Sequence, residues 1–420
     1  MNKLVIEGGK SLKGTVKISG AKNAALPIMA ATLLTDERCV LHNVPKLRDT
    51  QTMVKLLTSL GKAVECDKNT VCISSNGPLK SMAHYDLVST MRGSFCVLGP
   101  LVAKLGHAKV SLPGGCVIGV RPVDLHLKGL KRLNIKIEIE NGYAVASTKS
   151  LKGNNIYLGG VFGSSVLATA NVMMAATLAQ GDTVIESAAC EPEIEDLANF
   201  LSFMGAQITG QGTPRITITG VKKLHGVDYK IIPDRIEAGT FILLAAATKS
   251  DITLKGAYIN HLLALTDVLE EAGLEFDYGV DTIHVKASRG LDPMSITTYP
   301  YPGFPTDLQA QYMTLMALTP GVSVITDKVY PDRFIHIAEL NRMGASIRRE
   351  GMIGIVQGVK GLVGAQIMAS DLRASAALVI AGLAAKGKTE ISRIYHLERG
   401  YENLDQKLRG LGAKISRRKE

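Results

Sequence analysis

A short pattern that returns six times constrains the fold of this chain more than any other feature. The end of an amphipathic helix, a turn and a strand recur as LLTSLGKAVE, GLKRLNIKIE, FLSFMGAQIT, LEEAGLEFDY, LNRMGASIRR and LRGLGAKISR. The turn falls at Gly61, Asn134, Gly205, Gly273, Gly344 and Gly412, in steps of 73, 71, 68, 71 and 68 residues. Glycine and asparagine most readily take the left-handed conformation that ends a helix, so Asn134 keeps the geometry of the other five.

Each copy also holds a second, more apolar helix, over residues 23–34, 86–105, 165–179, 237–247, 307–318 and 372–385. A short alternating strand follows each one: CVLHNV, AKVSLP, DTVIES, ITLKGA, VSVITD and TEISRI. The repeating unit reads as strand, helix, strand, helix, strand, with the apolar helix buried and the sheet covered on one face. Six units form two groups of three, predicting two α/β domains that meet near Asp234, with a ligand-sized cleft between similar halves. A purely structural solenoid is the competing account of the repeat.

Composition narrows the partners. The formal net charge of +10 fits either a polyanionic small substrate or a nucleic acid. With 5% aromatic residues and no tryptophan the chain lacks the stacking surfaces of single-strand binders, which favours the small substrate. The six cysteines form no C-x-x-C pair, so neither a zinc site nor a disulfide framework is indicated and a reducing compartment is expected. MNKLVIEGGK is not a secretory leader, and no run approaches the roughly 20 apolar residues that cross a bilayer. The reading is a soluble, cytoplasmic protein without a membrane partner; its oligomeric state is left open.

Three kinds of segment carry chemistry. In SLPGGCVIGVRPVD, glycines surround Cys116, and Pro113 and Pro122 oppose helix and sheet, which predicts a loop. Arg121, five residues on, would favour a thiolate, so Cys116 is a nucleophile, a proton donor, or simply a small residue in a turn. In ISGAKNAALP, Gly20, Lys22 and Asn23 stand where a strand gives way to a helix. That is either an anion site built from amides, helix dipole and ammonium, or an ordinary helix start with an exposed lysine. Corresponding helices open with Arg92, with Asp234 and Arg235, with Asp307, and with Asp371 and Arg373, while Arg333 and Arg399 follow strands. Aspartates cap helices without further function. Arginine there opposes the dipole and points to an anionic ligand.

GLAAKGKT, residues 382–389, satisfies the P-loop pattern, but a P-loop joins a strand to a helix and here a helix runs into a strand. Nucleotide hydrolysis is set aside on that context.

Taken together, ISGAKNAALP, PGGCVIGVRPVDLH, EPEIEDLANFL, PDRIEAGTF, FPTDLQAQ, ASDLRASA and RIYHLERGYE resemble the UDP-N-acetylglucosamine enolpyruvyl transferases of the EPSP synthase-like family along the whole chain. The resemblance implies a two-domain inside-out α/β barrel, one domain over residues 22–232 and the other over residues 1–21 plus 233–420, with the Cys116 loop as a lid over an interdomain active site. It implies transfer of the enolpyruvyl group of phosphoenolpyruvate to the 3-hydroxyl of UDP-N-acetylglucosamine, the first committed step of bacterial peptidoglycan precursor synthesis, with no metal or other cofactor and no nucleic acid. Lys22 and Asn23 would meet phosphoenolpyruvate, with Arg121 and Arg399 on its phosphate or carboxylate. Arg92, Arg121, Pro122, Val123, Asp124, Leu125, Ser165 and Val166 would hold the nucleotide sugar. Asp307 would lie near its 3-hydroxyl, Val329 beside the sugar ring, and Asp371 and Arg373 would complete the site. Cys116 would be the general acid, and its presence implies sensitivity to the epoxide fosfomycin.

Where the family reads a short Ser-Val-Gly-Ala-Thr turn, this chain has GGVFGSSVLAT, about three residues longer and with Leu167 in place of the glycine. The shikimate-pathway enolpyruvyl transferase is similar in architecture but lacks the PGGC loop and the GAKN start. A non-enzymatic nucleotide-sugar or anion-binding repeat protein is the competing reading from another class.

Overall fold

The computed structural model describes residues 2–114, 123–287 and 290–419. They separate into two compact units, one of residues 2–19 and 233–419, the other of residues 20–114 and 123–232. Among the described residues the strands form six four-stranded sheets, three in each unit.

All six expected turn positions have positive φ, from 65° at Asn134 to 102° at Gly61 and Gly205. The second helices are buried around their whole circumference. In Lys22–Ala31, Arg235–Ala247 and Leu372–Ala384 nearly every side chain is inaccessible. Full burial of a leucine or isoleucine contributes roughly 1.5–3 kcal/mol relative to exposure, so a helix apolar on all sides is stable only at the centre of its unit. Each unit therefore packs its apolar helices inside and its sheets outside, around its own hydrophobic core. The inside-out α/β arrangement is present, but its wall consists of three separate sheets in each unit and not of one closed ring of strands.

The repeating unit needs a second correction. The strand after each turn doubles back as a hairpin, giving strand, helix, strand, helix, strand, strand. Lys136–Glu140, for instance, returns through Asn141 and Gly142, both at positive φ, into Tyr143–Ser147. That returning strand, not the one after the turn, pairs with the strand that follows the apolar helix. The helix expected over residues 86–105 is also broken, into Tyr85–Val88, a 3-10 turn Arg92–Val97 and Leu98–Leu105. Met91 turns extended between them.

The chain is circularly shifted against its repeats. Asn2–Glu7 lies between Lys388–Ser392 and Lys414–Lys419, and Lys13–Lys17 pairs in parallel with Asp251–Lys255. Ser19 is tied into the same unit, its amide donating to Glu237 Oε2 at 2.7 Å and its hydroxyl accepting from Lys407 Nζ at 2.7 Å. In the other unit Asp228–Lys230 completes the sheet of Cys39–His42. Asp196, from the EPEIEDLANFL segment, accepts from the Tyr229 hydroxyl at 2.7 Å and the Ile232 amide at 3.3 Å, holding the end of that unit. Burial pushes the Asp196 carboxyl up to about 6 despite these bonds.

Candidate active site

Lys22 is the first residue of Lys22–Ala31, whose N-cap, Ala21, has no side-chain acceptor. The exposed-lysine reading fails, because Lys22 is only 7% exposed and its ammonium lies 3.4 Å from Asp49 Oδ2, itself buried. A buried ammonium at the positive end of a helix dipole is costly without an anionic partner. Gly20 is required two residues earlier, since a Cβ there would sit 1.6 Å from the Asn43 carbonyl oxygen. Asn23 follows Lys22, half-buried.

Arg92, also half-buried, begins the 3-10 turn Arg92–Val97. Behind it His126 is buried between Phe95, at 5.3 Å ring to ring, and Asn171 Nδ2, at 3.1 Å. Burial, reinforced by the charge of Arg92, lowers the His126 imidazole to about 3 and keeps it neutral. Val123 caps Asp124–Arg132, leaving Asp124 exposed and Leu125 half-buried. The lengthened segment makes a tight turn in which Gly160 and Gly163 exchange backbone bonds of 2.9 and 3.1 Å, presenting Val161 and Phe162 outward. A Cβ on Gly160 would lie 3.0 Å from Leu125, so the turn rests against that residue. Ser165 then caps Val166–Ala176 through its hydroxyl. Cys116, Arg121 and Pro122 lie outside the described residues.

In the other unit the aspartates and arginines meet. Asp307, in the 3-10 turn Thr306–Leu308, is clasped by two guanidinium groups. Arg333 Nη1 donates to Oδ1 at 2.6 Å, and Arg373 donates to Oδ2 from Nη2 at 2.8 Å and from Nε at 3.1 Å. Both arginines are buried, at 2% and 1% exposure. Burial opposes the charge on Arg373, yet the Asp307 carboxylate foremost, with Tyr401 and Asp234, overcomes it and the group titrates above its ordinary range. Arg373 also stacks on Tyr401 at 5.3 Å. The arginine at this helix start is thus explained by a built-in carboxylate, whereas Arg235 lies over the Tyr301 ring at 5.4 Å. Asp371 caps Leu372–Ala384 through Oδ1, while its buried Oδ2 has no hydrogen-bond partner among the described residues. Val329 donates its amide to Asp327, and Arg399 ends the 3-10 turn Leu397–Arg399, half-buried.

The structure therefore joins Asp307 to Arg373 and brings in Arg333, which the sequence marks only as a cation after a strand. It also adds Asp49, Tyr401, Thr306 and Asp327, for which no local pattern gives a signal. GLAAKGKT is a helix, Leu372–Ala384, running through Gly387 at φ 92° into the strand Lys388–Ser392, the reverse of a P-loop.

Comparison with known proteins gives first the class. Residues 6–408 match the family model described as EPSP synthase (3-phosphoshikimate 1-carboxyvinyltransferase). The enolpyruvyl transferase NikO from Streptomyces tendae superposes with a TM-score of 0.89 at 25% identity, covering 99% of this chain and 98% of its own. An EPSP synthase from Acinetobacter baumannii, at 19% identity and TM-score 0.77 over the whole of both chains, shares the fold. Among relatives, the UDP-N-acetylglucosamine 1-carboxyvinyltransferase of Methylacidiphilum infernorum is 52% identical over 417 residues, 99% of each chain. UDP-N-acetylglucosamine 1-carboxyvinyltransferase 2 of Carboxydothermus hydrogenoformans is 53% identical over 419 residues, again 99% of each. The chain belongs to the enolpyruvyl transferase family, among its UDP-N-acetylglucosamine 1-carboxyvinyltransferase members.

Proposed function

We propose that this chain transfers the enolpyruvyl group of phosphoenolpyruvate to the 3-hydroxyl of UDP-N-acetylglucosamine and releases phosphate, in the cytoplasm, as the first committed step of peptidoglycan precursor synthesis. The observation that carries the choice of acceptor is the set of full-length relatives at 50–53% identity, all named for that nucleotide sugar. No helix among the described residues is long and apolar enough to cross a membrane.

The reaction is an addition followed by an elimination. The acceptor oxygen bonds to C2 of the enol phosphate while a proton reaches C3, and the tetrahedral adduct then returns a C3 proton to the Cys116 thiolate as the C2–O bond to phosphate breaks. In this reading Cys116 delivers the first proton, and in the absence of the acceptor its thiolate can instead add reversibly to C2 of phosphoenolpyruvate as C3 is protonated. Asp307 takes the hydroxyl proton, its plane fixed by Arg333 and Arg373. Lys22, Asn23, Arg121 and Arg399 hold phosphoenolpyruvate and stabilise the departing phosphate. Arg92, Pro122, Val123, Asp124, Leu125, Ser165, Val166 and Val329 hold the nucleotide sugar, with Asp371 completing the site beside Arg373.

The test is phosphate release on mixing the protein with phosphoenolpyruvate and either UDP-N-acetylglucosamine or shikimate 3-phosphate, with Cys116→Ala alongside. Release with the nucleotide sugar alone, lost in the variant, is expected. Release with shikimate 3-phosphate would transfer the assignment to the other acceptor, and silence with both would leave a binding protein.

A further inference from the structure

Asp327 is a fully buried carboxylate that no step of the proposed reaction uses. A carboxylate taken out of water is unfavourable unless its oxygens are bonded, and here every bond leads somewhere specific. Asp327 ends the strand Val322–Asp327. Its Oδ1 accepts from the Thr298 hydroxyl at 2.7 Å and from the amides of Val329 and Tyr330 at 3.0 and 2.8 Å. Its Oδ2 accepts from the Thr306 hydroxyl at 2.7 Å.

An aspartate that ends a strand often bonds amides two and three residues on to start a turn. That accounts for Val329 and Tyr330. It does not account for Oδ2, which reaches a different element 21 residues away, next to Asp307. The turn wound on Oδ1 carries the chain round to Arg333, whose amide donates to the Tyr330 carbonyl at 2.9 Å. Arg333 Nη1 then returns to the same element, 3.3 Å from Thr306 Oγ1 and 2.6 Å from Asp307 Oδ1. One carboxylate thus sets the spacing between Val329 and Asp307, the two residues of this unit proposed to meet the acceptor sugar.

We infer that Asp327 is a positioning residue for the acceptor hydroxyl, holding Asp307 through Thr306 and the sugar-facing turn through the Val329 and Tyr330 amides. The inference rests on the proposed reaction. It also supplies its own control, because the Thr298 hydroxyl bonds the same carboxylate but not Thr306, Asp307 or Val329.

The experiment measures steady-state phosphate release, varying each substrate, for the full chain and for Thr306→Val, Thr298→Val and Asp327→Asn, with urea unfolding of each. Misplacing a reacting group by a fraction of an ångström to an ångström lowers turnover by about ten- to a hundredfold. Thr306→Val is expected to lose kcat on that scale with KM for phosphoenolpyruvate unchanged. Thr298→Val should stay within about twofold in kcat, since removing its hydroxyl moves no reacting group, while losing similar stability. Asp327→Asn, whose amide keeps an acceptor oxygen for only one of the two branches, should lower kcat or raise KM for UDP-N-acetylglucosamine. Equal losses of turnover in Thr298→Val and Thr306→Val, or kinetics of Asp327→Asn that match wild type, would overturn the inference alone. Absence of wild-type turnover would overturn the reaction on which it rests.

Discussion

The two units repeat one plan three times each, yet the starts of their central helices differ in charge, the aspartates of one being accompanied by Arg235 and Arg373. The unit of residues 20–232 opens these helices with Lys22, Arg92 and the uncharged cap Ser165. The other opens them with Asp234, Asp307 and Asp371, two of which cap through their side chains. The aspartates agree with the helix dipole and the cations oppose it. The same scaffold can therefore present a positively or a negatively charged helix start, and side chains there, not the fold, decide which. The charges also differ in what they hold together. Arg373 and Arg333 are buried on a shared carboxylate, whereas Lys22 touches Asp49 only at 3.4 Å.

Arg373→Ala should break this contrast most severely. Removing one partner of a buried ion pair costs roughly 3–5 kcal/mol, the lower end applying because Asp307 is one quarter exposed. Turnover should vanish together with about 3 kcal/mol of stability by urea unfolding. Lys22→Met should also abolish phosphate release, with a smaller loss of stability than Arg373→Ala, since its contact with Asp49 is longer at 3.4 Å, it opposes its helix dipole, and Asp49 stays in the favourable first turn of its own helix. Equal destabilisation by the two variants would erase the distinction between the units.

The turns sharpen the comparison at smaller cost. Gly273→Ala, at φ 98° with no atom within 4 Å of the new Cβ, should lose about 1–2 kcal/mol from backbone conformation alone. Gly61→Ala, at φ 102° with the Pro78 carbonyl oxygen 2.8 Å away, should lose more, and matching urea midpoints would show that the turns are interchangeable.

A further effect is confined to acid. The folded His126 titrates near 3 against an ordinary 6.5, so the stability contributed by its neutral form is complete above pH 6.5 and is lost as pH falls from there towards 3. Asp196 acts in the opposite sense. Its folded value near 6 exceeds its ordinary 3.8, so its contribution is complete below 3.8 and is lost as pH rises through 6. Replacing His126 with a neutral residue should flatten the acid limb of a melting-temperature profile, and an unchanged limb would mean that another group governs it.

Much of the scaffold was legible because its signals are local. A helix that must end in a left-handed residue announces itself as glycine or asparagine, and a helix at the centre of a unit must be apolar on every side. The returning hairpin strands were missed because they are short and half exposed, as in Thr70–Ser75, and their partner is known only once the sheet forms. The separate sheets were illegible for a related reason, since strand spacing does not say which edges stay unpaired.

For the site, sequence resemblance named Lys22, Asp307, Asp371 and Arg373 as a set, but not their bonds. Asp307 lies 26 residues from Arg333 and 66 from Arg373, and no periodicity in the chain links such positions. By itself the sequence determined the repeat, the turns, the buried helices and the family, all of which depend on residues near one another or on whole-chain likeness. The tertiary structure alone decided that a helix-start arginine is answered by Asp307 and that one buried aspartate, Asp327, joins Thr306 to the Val329 turn. Those contacts exist only where packing brings distant segments within hydrogen-bonding distance, and burial makes each of them costly to leave unmade.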